Sequence, residues 1–261
     1  NSTGNRTDLD PAVAFAVPFD EEILWNYELG IKSELLDNRL RLNAAIFRQD
    51  WEDAQFESFR FLVPGDLTTN FEQTINIAEI EVTGVEIEFV AAPTDRLTLT
   101  GGWGYLDTEI MSNEIVEITG GYNVALNGLS SPKAPKLTWN LTAEYRWPFY
   151  GREGWVRAEF IHRDGQYSDI EGLTNRQTRG VSPNGGNARL VGAGEFPYRS
   201  PDYEVLNLRA GVTWNEWNFT VYGQNVTDEE YYTGTQENFG MSGIRLRPHP
   251  ATFGVSVSYD W

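Results

Sequence analysis

Cysteine is absent from the 261 residues, and histidine occurs only twice, at His162 and His249. The first absence removes thiol nucleophiles, disulfide frameworks and Cys-ligated zinc or iron-sulfur sites. The second leaves too few imidazoles for a His-based metal centre, and no resident cofactor is expected. His249, set between Pro248 and Pro250, reads as a strand-start residue, and His162, which continues an apolar row, reads as a rim residue. No G-x-S-x-G elbow supports Ser-His-Asp chemistry, so the chain does not read as an enzyme. Basic residues are also scarce: 20 Lys+Arg face 38 Asp+Glu, a formal charge of −18. Such an acidic excess repels phosphate backbones and excludes a nucleic-acid footprint. Long apolar runs are missing too, the longest being Ala12 to Val17, far short of the roughly 18 to 20 residues of a membrane-spanning helix. The first residues, Asn1 to Arg6, carry neither an initiator Met nor the apolar stretch of a signal peptide, so the chain reads as processed or as cut from something longer.

What the chain does have is apolar alternation at period two, the mark of strands with one apolar and one polar face. Trp25, Tyr27, Leu29, Ile31 and Leu35 alternate with Asn26, Glu28, Lys32 and Glu34 up to a turn at Asp37-Asn38, and Leu40, Leu42, Ala44 and Ile46 return. A run from Phe71 to Val90 shows phase slips between Ile77 and Ile80 and near Thr83-Gly84, as bulges would cause. Leu97 to Tyr105 follows. The cleanest alternation is Leu137, Trp139, Leu141, Ala143, Tyr145 and Trp147 against Thr138, Asn140, Thr142, Glu144 and Arg146. Further rows start at Val156, Leu206, Trp217 and Ala251, which makes nine strands in all.

Short and long connections alternate along the chain. Asp37-Asn38, Pro93 to Asp95, Pro148 to Glu153 and Asn215-Glu216 are short; Asp53 to Asn70, Met111 to Pro135, Ser168 to Pro201 and Asp228 to Pro248 are long. Compact soluble domains seldom carry several loops longer than about 12 to 15 residues, whereas outer-membrane barrels combine short periplasmic turns with long extracellular loops. Trp25, Trp147, Trp155, Trp214, Trp217 and Trp261 fall at strand ends, which the pattern assigns to an aromatic belt beside the short turns or the terminus. On these residues alone three readings stay open: part of a large barrel, a passive pore or small stand-alone barrel in which Asp10 to Val17 adds a strand, and a soluble β-sandwich binding module.

Five segments in order then resemble the C-terminal part of the barrel of TonB-dependent outer-membrane receptors. Asn26-Tyr27-Glu28-Leu29-Gly30-Ile31-Lys32 with Leu40 to Phe47 is similar to the family's NYE-x-G-x-K hairpin. Val82 to Glu88 resembles its GvE-x-E strand, Pro132 to Tyr145 its P-x-x-x-P loop and following strand, Tyr222 to Tyr231 its N-x-x-D-x-x-Y segment, and Arg247 to Trp261 its closing strand. The family usually closes on Phe, and Trp261 is a conservative variant.

The resemblance implies an all-β, antiparallel transmembrane β-barrel of about 22 strands in the bacterial outer membrane, with the nine C-terminal strands present here. It places residues 1–24 in an extracellular loop or loop end and residues 25–261 in the barrel, with the plug domain and the first barrel strands outside this chain. It implies a receptor that binds a scarce nutrient, a ferric siderophore first and a cobalamin-like complex or oligosaccharide as alternatives, and imports it through the TonB energy-coupling complex. Besides that ligand and that complex, the implied partners are outer-membrane lipid and the barrel-assembly machinery. Ligand-binding candidates are loop arginines and aromatics: Phe56, Phe59 and Phe61; Arg176, Arg179, Arg189 and Arg199; Tyr231, Tyr232, Phe239, Arg245 and Arg247. Those arginines equally suit pairing with Asp169, Glu171, Glu195 and Glu237 that merely orders the loops. By the same resemblance Phe253, Val255, Val257, Tyr259 and Trp261 form the assembly signal.

Overall fold

The computed structural model describes residues 18–61, 70–112, 115–118, 122–168, 199–238 and 241–260. Among them every regular element is a strand. In chain order these are β1 (Ile23–Leu35), β2 (Leu40–Phe61), β3 (Asn70–Thr94), β4 (Leu97–Ile110), β5 (Ile115–Ile118), β6 (Tyr122–Ala125), β7 (Leu137–Phe149), β8 (Arg152–Arg163), β9 (Tyr203–Trp214), β10 (Trp217–Gln224), β11 (Gly234–Asn238), β12 (Met241–Leu246) and β13 (Thr252–Tyr259). Nine of them form one antiparallel sheet in the order β1-β2-β3-β4-β7-β8-β9-β10-β13. These are the nine strands counted from the alternation. The sheet is open, with β1 and β13 at its edges.

Tight turns set the register. Trp214 pairs with Trp217 across Asn215-Glu216, with Asn215 left-handed at φ 51°, and Phe149 pairs with Arg152 across Tyr150-Gly151, at φ 47° and 74°. In the second turn both central residues have positive φ, a twist in the same sense as that of the strands they join. The β1–β2 connection is longer than the two residues expected: Leu35 pairs with Leu40, so Leu36 to Arg39 make the turn.

The long connections carry structure that alternation did not reveal. Residues 53–61 and Asn70 onward, read as a loop, continue the β2–β3 ladder out to Phe61 opposite Asn70. At about 3.3 Å per residue the 22 residues of β2 far exceed the 9 to 11 that cross a bilayer. The outer half therefore projects as a two-stranded ribbon held by its own backbone hydrogen bonds. Hairpins β5–β6 and β11–β12 lie in two other long connections. Registers shift between Trp51 and Gln55 of β2 and opposite Ala78 of β3, matching the slip expected between Ile77 and Ile80. No bulge exists at Thr83-Gly84, because pairing is unbroken from Ile80 to Ala91 on both sides of β3. There the apolar residues change face instead.

Cross-strand pairing resolves two faces. Leu42, Phe89, Gly101, Leu141, Phe160 and Leu206 stand in one row, and Arg41, Val90, Thr100, Thr142, Glu159 and Asn207 in the neighbouring row on the other face. The apolar face stays open to its surroundings, with Leu29, Phe253 and Val255 exposed. Its aromatic cluster beside the short turns contains Trp147, Trp214, Trp217 and Tyr259, with the rings of Trp217 and Tyr259 5.0 Å apart. Two belt assignments fail. Trp25 pairs with Asp50 at the end of β1 remote from the short turn. Trp155 lies on the polar face, directly over Gly211, whose missing side chain leaves room for the indole. Trp261 lies outside the described residues.

Candidate functional site

The polar face rises from charged pairs near the short turns to an apolar block near the long connections. At the lower level Arg146 is held by Glu144 at 2.7 Å and by Glu153. Higher, Glu159 accepts a hydrogen bond from Asn207 Nδ2 at 3.0 Å, and Asn207 Oδ1 accepts one from the Asn225 backbone N–H at 2.9 Å. This ties the wall to the turn that follows β10.

Above both levels, farther from the short turns, lies a recess of about 510 Å³. Gly102 and Gly104 of β4 form its floor, Glu86 and Glu88 one side, and Thr138, Asn140, Arg163 and Tyr203 the other. A side chain on either glycine would intrude: an added Cβ would stand 3.3 Å from Asn140 Nδ2 at position 102 and 3.3 Å from Thr138 Oγ1 at position 104. Both glutamates are exposed. Arg163 donates to Gln166 Oε1 at 3.1 Å, while its Nε is buried and has no hydrogen-bond partner among the described residues. The recess thus offers carboxylates on one wall and a guanidinium opposite, a geometry suited to a ligand bearing groups of both signs. None of these residues was a sequence candidate. Alternate glycines inside a strand were the available signal, since strand glycine often marks a close approach.

Above the recess the polar face turns apolar. Ala54, Ala78, Ile80, Val82, Ile110, Leu126 and Leu129 are buried together, with Phe47, Trp51, Phe56, Leu106 and Tyr167 packed around them. The stretch carrying Leu126 and Leu129 folds inward over the wall and pairs with β4: Ile110 N–H donates to Leu129 O at 2.8 Å, and Gly128 N–H to Ile110 O at 2.9 Å. Gly128 is left-handed at φ 79°, a conformation in which a side chain would be strained. Further along, Lys133 N–H donates to Tyr167 O at 2.7 Å. The β2–β3 ribbon, the β4–β7 connection and the start of the β8–β9 connection are therefore one packed block.

The candidates from sequence separate on this frame. Phe56 is half-buried against the apolar block, which makes it a packing residue. Phe59 and Phe61 lie in β2 and Arg245 in β12, but their side chains are outside the described residues, as are Arg176, Arg179, Arg189 and Phe239 altogether. Arg199 is engaged in ordering the chain: it donates to Gly165 O and to Asp202 Oδ1, each at 3.2 Å. Among the described residues its acidic partner is Asp202, while Asp169, Glu171 and Glu195, and the side chain of Glu237, lie outside them. Tyr231 stacks on Tyr203 with centroids 4.2 Å apart, and burial, then the neighbouring Tyr203, pushes its phenol up from the usual value. Arg247 sits over the Tyr232 ring at 5.6 Å. The structure therefore brings Tyr203 and Tyr231 to the upper edge of the recess, while Arg199 closes the base of the connection beside it.

Asp202 makes that closure pH-dependent. The Gly165 backbone N–H donates to its Oδ1 at 2.7 Å. That bond, and then Arg199 against an opposing desolvation, holds the carboxyl below its ordinary range. Because the folded pKa is depressed, the clamp contributes fully above about pH 5 and is lost as pH falls through the folded value. Amide exchange at Gly165, corrected for intrinsic rates, is expected to be flat from pH 7 to 5 and to rise on further acidification. An Asp202→Asn variant should remove most of that rise. An unchanged profile in the variant would reject the clamp.

The comparisons agree with this architecture. The model of the TonB dependent receptor-like β-barrel family matches residues 2–226. The ferric-pyoverdine M114 receptor PbuA of Pseudomonas sp. (strain M114) is 27% identical over 241 residues, 90% of this chain and 24% of that protein. The metal-pseudopaline receptor CntO of Pseudomonas aeruginosa is 28% identical over 242 residues, 92% of this chain and 28% of that protein. Among solved structures, the ferric yersiniabactin uptake receptor FyuA from Yersinia pestis superposes with a TM-score of 0.67 at 19% identity, covering 94% of this chain and 31% of that one. The siderophore receptor PiuA from Acinetobacter baumannii superposes with a TM-score of 0.62 at 21% identity, covering 90% and 28%. The chain spans about a quarter of the length of the curated relatives it matches. A nine-stranded open sheet with one apolar and one polar face, matched by the family model over residues 2–226, belongs to the TonB-dependent receptor β-barrel family of the bacterial outer membrane.

Proposed function

We propose that the full-length protein carrying this segment is a TonB-dependent receptor for a ferric siderophore, imported without covalent chemistry. The carrying observation is the wall itself: a polar face with a two-signed recess beneath an aromatic pair, in a chain whose relatives over nine-tenths of its length are named as receptors for ferric pyoverdine and metal-pseudopaline. Ferric chelates of peptide type carry both cationic and anionic groups, and stacking on Tyr203 and Tyr231 would add contact area at low entropic cost. Residues 1–24 would lie in or just before an extracellular loop, with a plug and the earlier strands supplied upstream. Import would draw on the TonB complex through that plug.

The test uses the full-length receptor expressed in an iron-starved host lacking its own siderophore receptors. Uptake of radiolabelled ferric pyoverdine is expected, and Glu86→Gln with Glu88→Gln should weaken binding about tenfold if their charges meet cationic groups. Uptake of cobalamin or an oligosaccharide in place of any ferric chelate would reject the siderophore reading and keep the transporter. The terminal row Phe253, Val255, Val257, Tyr259 and Trp261 would serve the barrel-assembly machinery as its recognition signal. Trp261→Ala should lower the assembled amount severalfold while leaving the heat-modifiable fraction as resistant as wild type, and normal yield would refute this role.

A further inference from the structure

The apolar face carries a second feature, close to the short turns and away from the recess. Gly154 of β8 and Ala210 of β9 lie between Trp147 and Phe149 of β7 on one side and Val221 of β10 and Val255 of β13 on the other. Trp147 and Phe149 lean over Gly154, and the small Ala210 beside them leaves a groove of about 380 Å³ with an almost wholly apolar lining. At its turn end stands Arg152, on the same face by strand alternation. Its guanidinium lies over the Trp214 ring at 5.1 Å and donates to Asn215 Oδ1 at 3.3 Å. Among the described residues no carboxylate pairs with Arg152. Arg146, on the opposite face of the neighbouring strand, is by contrast held by two.

We propose that this groove and Arg152 together bind one phospholipid of the periplasmic leaflet, with its phosphate on the guanidinium and an acyl chain along Gly154 and Ala210. Three observations converge. The short turns are the periplasmic side of such barrels, so the groove opens to that leaflet. An uncompensated cation within an aromatic belt sits at the depth of lipid phosphates, and its complement is an anion. The adjoining groove then accepts the part of the same molecule that water excludes. A bare anion would satisfy Arg152 and leave the groove unfilled; a bare hydrocarbon would do the reverse. Only an amphiphile meets both. The inference does not depend on which nutrient is transported.

Native mass spectrometry of the full-length receptor tests it, after delipidation in detergent and titration with phosphatidylglycerol. A saturable lipid adduct is expected. Arg152→Gln should weaken it about tenfold, the scale of losing one charged hydrogen bond. Ala210→Phe, which fills the groove without touching the charge, should weaken it comparably, while Leu29→Phe on the same face of β1 should have no effect. Phosphatidylethanolamine binding with the same dependence on both sites also supports the proposal, because the phosphate is shared. Equal adducts on wild type, Arg152→Gln and Ala210→Phe would reduce the feature to ordinary annular lipid and overturn it. So would displacement of the lipid by inorganic phosphate with no effect of Ala210→Phe, which would describe an anion site alone. Heat-modifiability of each variant on gels confirms that the barrel has formed.

Discussion

Leu141→Arg is expected to destabilise the folded receptor by about 2 to 4 kcal/mol, the range for a cation on the lipid face near the bilayer midplane. Leu141 stands in the middle of the apolar row, between Gly101 of β4 and Phe160 of β8, and is 41% exposed on a face that the described residues leave uncovered. Hydrocarbon must supply the cover, and a guanidinium placed there loses its hydration without gaining a partner. The neighbouring Asn140 makes the control. It is exposed on the opposite, polar face, so Asn140→Arg should change stability by less than about 1 kcal/mol. Thr142 is a poorer control, because it is only 7% exposed and a side chain larger than threonine would force its neighbours to repack. Urea titration of the full-length receptor in lipid vesicles reads the difference. Spin labels at positions 139 and 141 should be accessible to oxygen and shielded from a polar relaxant. Equal costs for arginine at 140 and 141, or the reverse relaxation pattern, would mean that the faces have been assigned to the wrong media.

Leu126→Ala should produce the second large effect, of a different kind. Leu126 is fully buried against Ile80, Ile110 and Ala54, and removing a buried leucine side chain costs about 2 to 5 kcal/mol. The loss falls on the contact between the β4–β7 connection and the wall, not on the ladder of the sheet. Unfolding of the barrel should therefore shift little. Amide exchange at Ile110 and Gly128, which are bonded across this contact, should accelerate by about 30-fold or more, the factor for 2 kcal/mol of local opening. Leu126→Met conserves volume and should stay near wild type. A uniform change in exchange over all strands would show instead that the block is part of the global cooperative unit.

This block shows how far the alternation carries. The apolar positions Val85, Ile87 and Phe89 share their face with Leu42, Ala44 and Ile46, as the alternation implies. Ile80 and Val82 are equally apolar and lie on the opposite face, with no bulge between. The phase slip at Thr83-Gly84 was visible in the sequence; its cause was not. A bulge and a change of covering partner leave the same trace in a string of residues, because hydrophobicity records that a side chain avoids water and says nothing of what replaces it.

The roles of the loop candidates are ambiguous in the sequence for a related reason. Arginine and aromatic residues in a long connection suit ligand contact, ion pairing and packing equally. Arg199 holds Gly165 and Asp202, and Phe56, itself part of the ribbon, packs against the apolar block. The recess went unseen because its parts come from five strands, and only the register brings Gly102 beside Asn140 and Glu88.

By itself the sequence determined the nine strands, their antiparallel order and the two chemically distinct faces, because strand alternation follows from backbone geometry that each segment carries locally. Tertiary structure alone decided where the polar face turns apolar under Leu126 and Leu129, why Trp155 leaves the belt for the space over Gly211, and how Glu86, Glu88 and Arg163 come to face one another. Those outcomes depend on contacts between residues far apart in the chain, and such contacts are fixed by register and packing rather than by any local pattern.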